Sequence, residues 1–287
     1  MDYRDNLLAN LKHAWKEALE NFFPRQETNQ LLNSLILHYT GYSRTDQALN
    51  QNYRLSESEM ISINQAVKRL LKEEPIQYIL GVSEFFGLQL KVNPAVLIPR
   101  PETEELVELI LKQNKQECMN ILDIGTGSGC IALALKSQLP QSNLMAFDVS
   151  EEALSIASTN ARDLQLEVAF YHCDILSASD CEHGHNFDII VNNPPYVTAL
   201  DKQEMKNNVL DFEPNLALFV QGDDPLLFYR CIANYALDHL NMGGKIYFET
   251  NENFGIETAS LLESLGFKQA LVFQDIHGKN RFVSAER

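Results

Sequence analysis

The 287-residue sequence is short of several things, and each shortage removes a class of protein. Its five cysteines (Cys118, Cys130, Cys173, Cys181, Cys231) contain no CxxC pair and no even framework. They read as reduced thiols, which excludes a disulfide-stapled secreted domain. The start, Met1-Asp2-Tyr3-Arg4-Asp5, lacks the basic-then-apolar order of a signal peptide. No run approaches the roughly 18 apolar residues of a membrane span. A soluble cytoplasmic protein is expected, without internal repeats or low-complexity segments.

Positive charge is also scarce. Lys+Arg number 23 against 39 Asp+Glu, a formal net charge of −16. The deficit is uneven: residues 1–93 hold 10 basic and 11 acidic side chains, residues 94–287 hold 13 and 28. A surface this acidic repels a phosphate backbone unless a basic patch interrupts it, so stable nucleic-acid binding is disfavoured and a basic protein is the better partner. The segment Cys181-Glu182-His183-Gly184-His185 has no second ligand cluster at zinc spacing and reads as a polar loop, with no metal expected. Gly222-Asp223-Asp224-Pro225 reads as a solvated turn.

What is present is ordinary globular composition, 45% hydrophobic and 22% charged, in a chain long enough to bury a core. Leu7, Leu8, Leu11, Ala14, Trp15, Ala18, Leu19 and Phe22 recur at helical spacing until Pro24. Leu31, Leu32, Leu35, Ile36 and Tyr39 follow, closed by Gly41. A third helix opens at Ser56 with Glu59 in capping-box spacing and stops at Pro75. Trp15 is expected in the core of this small bundle. Tyr78-Ile79-Leu80, Phe85-Phe86 and Leu88–Val92 then read as short strands, with turns at Gly81 and Gly87. Pro101 or Glu102 opens the next helix.

From residue 119 strands and helices alternate, which predicts a parallel sheet covered on both faces. Expected strands are Asn120–Ile124, Leu144–Asp148, Glu167–His172, Phe187–Val191 and Lys245–Glu249, with an antiparallel pair at Ala270–Phe273 and Arg281–Ser284. The expected fold is α/β. It comprises a helical domain over 1–75, a β-hairpin linker over 76–100, and a Rossmann-like, seven-stranded domain over 101–287.

Two motifs carry chemistry. The strand Asn120–Ile124 runs directly into Gly125-Thr126-Gly127-Ser128-Gly129 and then a helix. Such glycines let the backbone approach a ligand, with helix N–H groups pointing at it. The next strand ends in Asp148, 19 residues after Gly129, where a carboxylate can accept both hydrogen bonds of a ribose diol. A pyrophosphate loop needs G-x-G-x-x-G, whose third glycine would fall at Cys130; this loop is G-x-G-x-G after the acidic Asp123. It resembles motif I of class I S-adenosylmethionine methyltransferases. Asp174 and Ile175, at the end of the third strand, sit where adenine would lie in that fold. Asp174 is either an acceptor for the adenine amino group or a plain loop carboxylate.

The second motif is Asn193-Pro194-Pro195-Tyr196, after the fourth strand. Two prolines fix φ and remove two donors, so the turn presents acceptors: the Asn193 side-chain oxygen and the Pro194 carbonyl. Such a pair can hold both N–H bonds of an NH₂ group. That matters for nitrogen methylation, because an amide lone pair is delocalised and must be positioned to attack. Acceptors aimed at the nitrogen also favour the charge that grows there as the new bond forms. Tyr196 can wall the pocket and pack on a planar group.

With these motifs goes a family pattern: Glu74-Pro75-Ile76-Gln77-Tyr78, Gly81, Glu84-Phe85, Leu97 to Glu105 around Ile98-Pro99-Arg100-Pro101-Glu102-Thr103-Glu104, and Phe212-Glu213-Pro214 with Leu218. From about residue 74 onward the chain resembles the release-factor glutamine methyltransferases, the PrmC or HemK type. The resemblance implies methyl transfer from S-adenosylmethionine, yielding S-adenosylhomocysteine. The acceptor would be the N5 amide of the glutamine in the Gly-Gly-Gln loop of bacterial class I release factors; separately from the resemblance, a monomer is expected. It implies Gly125, Thr126, Gly127, Ser128, Gly129, Asp148, Asp174, Ile175 and Asn193 at the cofactor. Asn193, Pro194, Pro195 and Tyr196 would hold the glutamine, with Asn193, Pro194 and Tyr196 catalytic and Arg100 and Glu249 nearby. The helical domain would recognise the protein substrate. Two positions depart from the pattern: Ile175, often aromatic, and Asn251, usually glycine. Two other readings stay open: an adenine-N6 methyltransferase on DNA or RNA, whose exocyclic amine needs the same acceptors, and a non-catalytic cofactor-binding module.

Overall fold

Proline and glycine punctuation divides the chain into elements, and a computed structural model shows where each lies for residues 6–181, 184, 186–197, 207–220 and 224–287. The chain forms two compact units that part at Gly81/Val82, with the short helix Asn207–Phe212 grouped with the first unit. The first unit carries α1 (Leu8–Leu19), α2 (Arg25–Thr40), α3 (Arg44–Leu49), α4 (Glu57–Leu70) and α5 (Ile76–Leu80). Its core is the stripe read from the sequence: Leu8, Leu11, Trp15 and Leu19 of α1 pack with Leu32, Leu35 and Ile36 of α2 and Ile63, Val67 and Leu70 of α4. Trp15 is fully buried, and its indole N–H donates to Asn64 Oδ1 at 2.7 Å, so burial strands no donor. Gly41 ends α2 at φ 71°, a left-handed residue suited to glycine.

Two features of this unit differ from expectation. Helix α3 has no buried side chain and therefore no apolar stripe to betray it; its signal is the capping box of Ser43 and Asp46. Tyr78-Ile79-Leu80, expected as a strand, lies in helix α5. Pro75 caps its start and Gly81, at φ 73°, closes it, so five residues form one turn and a half with Tyr78 and Ile79 inward. A run that short does not separate period 2 from period 3.6.

The second unit opens with the hairpin β1 (Val82–Phe85) and β2 (Leu88–Lys91), turned by Phe86 at φ 50° and Gly87 at φ 75°. The hairpin, expected as a linker, packs within this unit: Phe85 and Leu90 are buried in its core, and the buried Asn160 holds the Lys91 backbone through both ends of its amide. There follow α6 (Pro101–Gln113), β3 (Asn120–Ile124), α7 (Cys130–Gln138), β4 (Asn143–Asp148), α8 (Glu151–Leu164), β5 (Ala169–His172), β6 (Phe187–Asn192), α9 (Leu227–His239), β7 (Leu240–Glu249), α10 (Gly255–Ser264), β8 (Lys268–Gln274) and β9 (Asn280–Glu286).

The sheet order is β5-β4-β3-β6-β7-β9-β8, parallel through β7 and antiparallel at β9 and β8. Alternation along the strands feeds two cores. Leu122, Ile190, Ile246 and Phe248 face one side with Tyr229, Ile232 and Leu262; Ile121, Ile189, Val191 and Tyr247 face the other with Leu106, Val107 and Leu133. Strand β7 begins earlier than expected, at Leu240, because Gly243 at φ 80° and a register shift at Phe187/Ile189 absorb an irregularity that masks its period. No helix among the described residues is long and apolar enough to cross a membrane.

The cysteines require a correction. Cys173 and Cys181 are joined as a disulfide, not held as separate thiols, because the 3-10 segment Ile175–Cys181 folds back and brings their Cα atoms to 5.5 Å. Cys118, Cys130 and Cys231 are free.

Gly129 caps the start of α7 at φ 82°, and a methyl there would meet Leu133 Cδ1 at 3.1 Å and Ala157 Cβ at 3.2 Å. Gly129→Ala should therefore lower stability by about 1–3 kcal/mol, read as a lower urea midpoint at unchanged slope.

Candidate active site

Strand order sets the location. From β3 the chain moves to β4 and β5 on one side and returns to β6 on the other, so the crevice at the carboxyl ends of β3 and β6 is the ligand position of an open α/β sheet. Ile124 and Asn192 are register partners at those ends, and the Asn192 amide donates to the Ile124 carbonyl. The glycine loop after Ile124 and the Asn193-Pro194-Pro195-Tyr196 turn after Asn192 thus leave the sheet side by side.

A cavity of about 310 Å³ opens there. Gly125, Thr126, Gly127 and Ser128 line it, as do Asp148, Asp174, Ile175, Asn193 and Pro195. Gly125 and Gly127 have φ of 68° and 55°, and a methyl on Gly125 would press on the Asn192 amide at 3.3 Å. Thr126 donates to the buried Asp123 at 2.6 Å, which fastens the loop to β3. Burial pushes the Asp123 carboxyl up to about 7. Asp148 accepts from the backbone N–H of Gly127 at 2.8 Å and of Ser150 at 2.9 Å, one on each carboxylate oxygen, and each oxygen keeps a lone pair. Burial raises its pKa, with these donors opposing.

Other expected residues lie elsewhere. Gly129 does not line the cavity; it serves the packing of α7 on Ala157 described above. Pro194 and Tyr196 are likewise outside the lining, with Pro194 buried and the Tyr196 hydroxyl directed to Glu249 Oε1 at 3.5 Å. Arg100 also lies outside it and donates to Glu213 Oε1 at 2.6 Å. That ion pair anchors the segment from Glu213 through the one-turn helix Asn215–Leu218, in which Pro214, Leu216 and Ala217 line the cavity. Val197, just past the tetrapeptide, donates its N–H to the Leu218 carbonyl at 2.9 Å. Asn251, where a glycine was expected, keeps an ordinary negative φ and accepts from the Asn253 N–H with its side chain.

Beneath the tetrapeptide lies a chain of polar groups. Asn193 Nδ2 donates to Thr103 Oγ1 at 3.2 Å, and Thr103 donates to Glu249 Oε2 at 2.7 Å. Burial pushes the Glu249 carboxyl up to about 7, opposed by the Thr103 hydrogen bond and the charge of Arg281. Sequence reading singled out neither Thr103 nor Asn192. Thr103 stood inside a quoted motif without a role, and Asn192 looked like a strand end, yet its Oδ1 is buried without a partner. The segment Cys181–His185 falls partly outside the described residues, as does Gly222–Pro225; among the described residues no cluster of metal-ligating side chains is present.

Similarity to known proteins shows that this sheet, with its glycine loop at the switch point, is that of a methyltransferase. Residues 102–212 match the family described as "Methyltransferase small domain", and residues 13–81 match "PrmC N-terminal domain". The release factor glutamine methyltransferase of Bacteroides thetaiotaomicron is 44% identical over 95% of this chain and 97% of its own. That of Flavobacterium psychrophilum is 41% identical over 96% and 98%. Among solved structures, a Pyrococcus furiosus methyltransferase aligns with TM-score 0.53 and 21% identity over 78% of this chain and 98% of that one, which speaks to the fold. The chain belongs to the release factor glutamine methyltransferase family.

Glu249 yields a test of this geometry. Its folded pKa near 7 exceeds the ordinary 4.5, so the folded state holds the proton more tightly; the stability it contributes is full at low pH and is lost as pH rises through about 7. Glu249→Gln should flatten the decline of unfolding free energy between about pH 5 and pH 8, measured by urea titration at several pH values. Parallel wild-type and variant profiles would contradict the assignment.

Proposed function

We propose that this protein methylates the N5 amide of the Gly-Gly-Gln glutamine of bacterial class I release factors, with S-adenosylmethionine as donor. The observation that carries the reading is the pairing of Ile124 with Asn192, which brings the glycine loop and, from the Asn-Pro-Pro-Tyr turn, Asn193 and Pro195 to one cavity. The named relatives act on release factor glutamine rather than on adenine, which favours this reading over a nucleic-acid methyltransferase.

The lining suits the cofactor. A cavity of about 310 Å³ is within the range of small-molecule sites. Asp148 has free lone pairs for a ribose diol, Asp174 and Ile175 lie one strand further on, and Gly125–Ser128 leave room for close approach. The buried, unpartnered Asn192 Oδ1 is an acceptor that a bound amino or hydroxyl group would satisfy. A Thermus thermophilus ribosomal RNA methyltransferase, solved in complex with AdoMet and guanosine, shares this fold at TM-score 0.50 and 18% identity. When bound, S-adenosylmethionine supplies a sulfonium methyl as the electrophile.

The protein's part is positioning. Asn193 Oδ1 and the Pro194 carbonyl accept the two N–H bonds of the glutamine amide, which fixes the nitrogen and favours the positive charge that develops on it. Tyr196, its phenol kept protonated by burial, buttresses the turn. Glu213, held by Arg100, keeps the covering segment in place. The helical unit recognises the release factor, and the near-neutral charge of residues 1–93 with the strongly acidic charge of the rest is compatible with a basic protein partner. Because release factors serve translation, the site of action is the cytoplasm.

The test is transfer of tritiated methyl to a purified release factor, with a Gly-Gly-Ala release factor, unmethylated DNA and ribosomal RNA in parallel. Label on the wild-type release factor alone is expected; label on nucleic acid would overturn the reading. In the same assay Asn193→Ala should lose about 100-fold or more of its turnover while still binding S-adenosylmethionine by calorimetry. Near-wild-type turnover would remove Asn193 from its role.

A further inference from the structure

An amide side chain has nearly the same shape in either of two orientations, related by a half-turn that exchanges oxygen for NH₂. Only one of them lets Asn193 accept from a substrate N–H. In the other it would present donors to donors. The acceptor role of Asn193 therefore requires something that tells its two ends apart.

Glu249, the last residue of β7, and Thr103, in the first turn of α6, are 1% and 2% exposed. The Thr103 hydroxyl has a single hydrogen, and it is committed to Glu249 Oε2 at 2.7 Å. Above about pH 7 Glu249 is ionised, and a carboxylate accepts and does not donate, so the direction of that bond is then fixed. The hydroxyl oxygen is then left only lone pairs for its other neighbour. That neighbour is the Asn193 amide, whose NH₂ end donates to Thr103 at 3.2 Å. The oxygen end is thereby turned away from Thr103, and among the described residues it has no hydrogen-bond partner.

We propose that Thr103, polarised by Glu249, is a positioning residue that sets the orientation of the Asn193 amide so that its oxygen serves the substrate. The proposal rests on the reading above, in which Asn193 holds the reacting NH₂ group. Thr103 lines the cavity beside Asn193, and its role is to act through that amide. Tyr196 closes the arrangement from the other side by directing its hydroxyl to Glu249 Oε1 at 3.5 Å. One buried carboxylate thus organises both ends of the tetrapeptide.

The test compares Thr103→Ser, which keeps the hydroxyl, with Thr103→Val, which keeps the shape and removes it. In full-length protein with a release factor as substrate, Thr103→Val is expected to lower kcat by about 10- to 100-fold, with KM and S-adenosylmethionine affinity within about two-fold of wild type. Thr103→Ser should recover kcat to within about three-fold. Unchanged kcat in Thr103→Val, or a Thr103→Ser variant as slow as Thr103→Val, overturns the proposal. A misfolded Thr103→Val would show in its urea transition; Glu249→Gln then takes its place, because a neutral amide no longer fixes the direction of the Thr103 hydroxyl, and the same kcat loss is expected. The orientation is also read without catalysis. In ¹⁵N spectra the Asn193 side-chain amide, assigned by its loss in Asn193→Ala, should exchange slowly in wild type and Thr103→Ser and quickly in Thr103→Val. If wild type methylates no release factor yet this exchange pattern holds, the substrate reading has failed and the orientation survives; equal exchange in all three proteins overturns the orientation itself.

Discussion

The parallel register that pairs Ile124 with Asn192 is the constraint on which the site depends. Each strand ends at that pair, and each then releases a loop that has no sheet partner of its own. The Asn192 amide, bonded to the Ile124 carbonyl, ties the two exits together. A one-residue slip would turn every core side chain of β6 to the wrong face, so the cost of disordering the site is the cost of emptying both cores. Precision at the cavity is in this sense a by-product of packing Ile189, Ile190 and Val191.

Two carboxylates lie under this frame at positions where burial penalises charge. Asp123 fastens the glycine loop through Thr126, and Glu249 underlies the Asn-Pro-Pro-Tyr turn through Thr103 and Tyr196. Each sits at the end of a central strand and points a fixed acceptor at a loop that glycine or proline leaves poor in side-chain contacts. Replacing either with an apolar residue would relieve the desolvation penalty and remove a directional contact that holds the loop.

Much of this was legible in the sequence, for identifiable reasons. Strands β3 and β6 alternate over five or six residues and end in motifs whose chemistry is local, so the cavity lining from Gly125 to Ser128 and the position of Asp148 follow from spacing alone. Trp15 and its stripe were equally plain. Short elements were not: α5 is too brief to show a period, and α3 buries nothing. Contacts between distant positions were also hidden. Thr103 and Glu249 are 146 residues apart and Arg100 and Glu213 are 113 apart, and no pattern within either segment names its partner. The Cys173–Cys181 pair escaped because its geometry depends on a 3-10 turn that apolar spacing does not signal.

The two prolines after Asn193 have a consequence for fidelity. Glutamine and glutamate differ by one atom and are nearly identical in outline, so no steric pocket separates them well. In the role proposed for it, a turn whose two prolines bring no N–H groups would separate them by sign instead. It would offer lone pairs to whatever enters, welcome an amide that brings two hydrogens, and repel a carboxylate that brings none. A deamidated substrate would be turned away at the threshold, by the absence of two backbone donors and not by the presence of any contact.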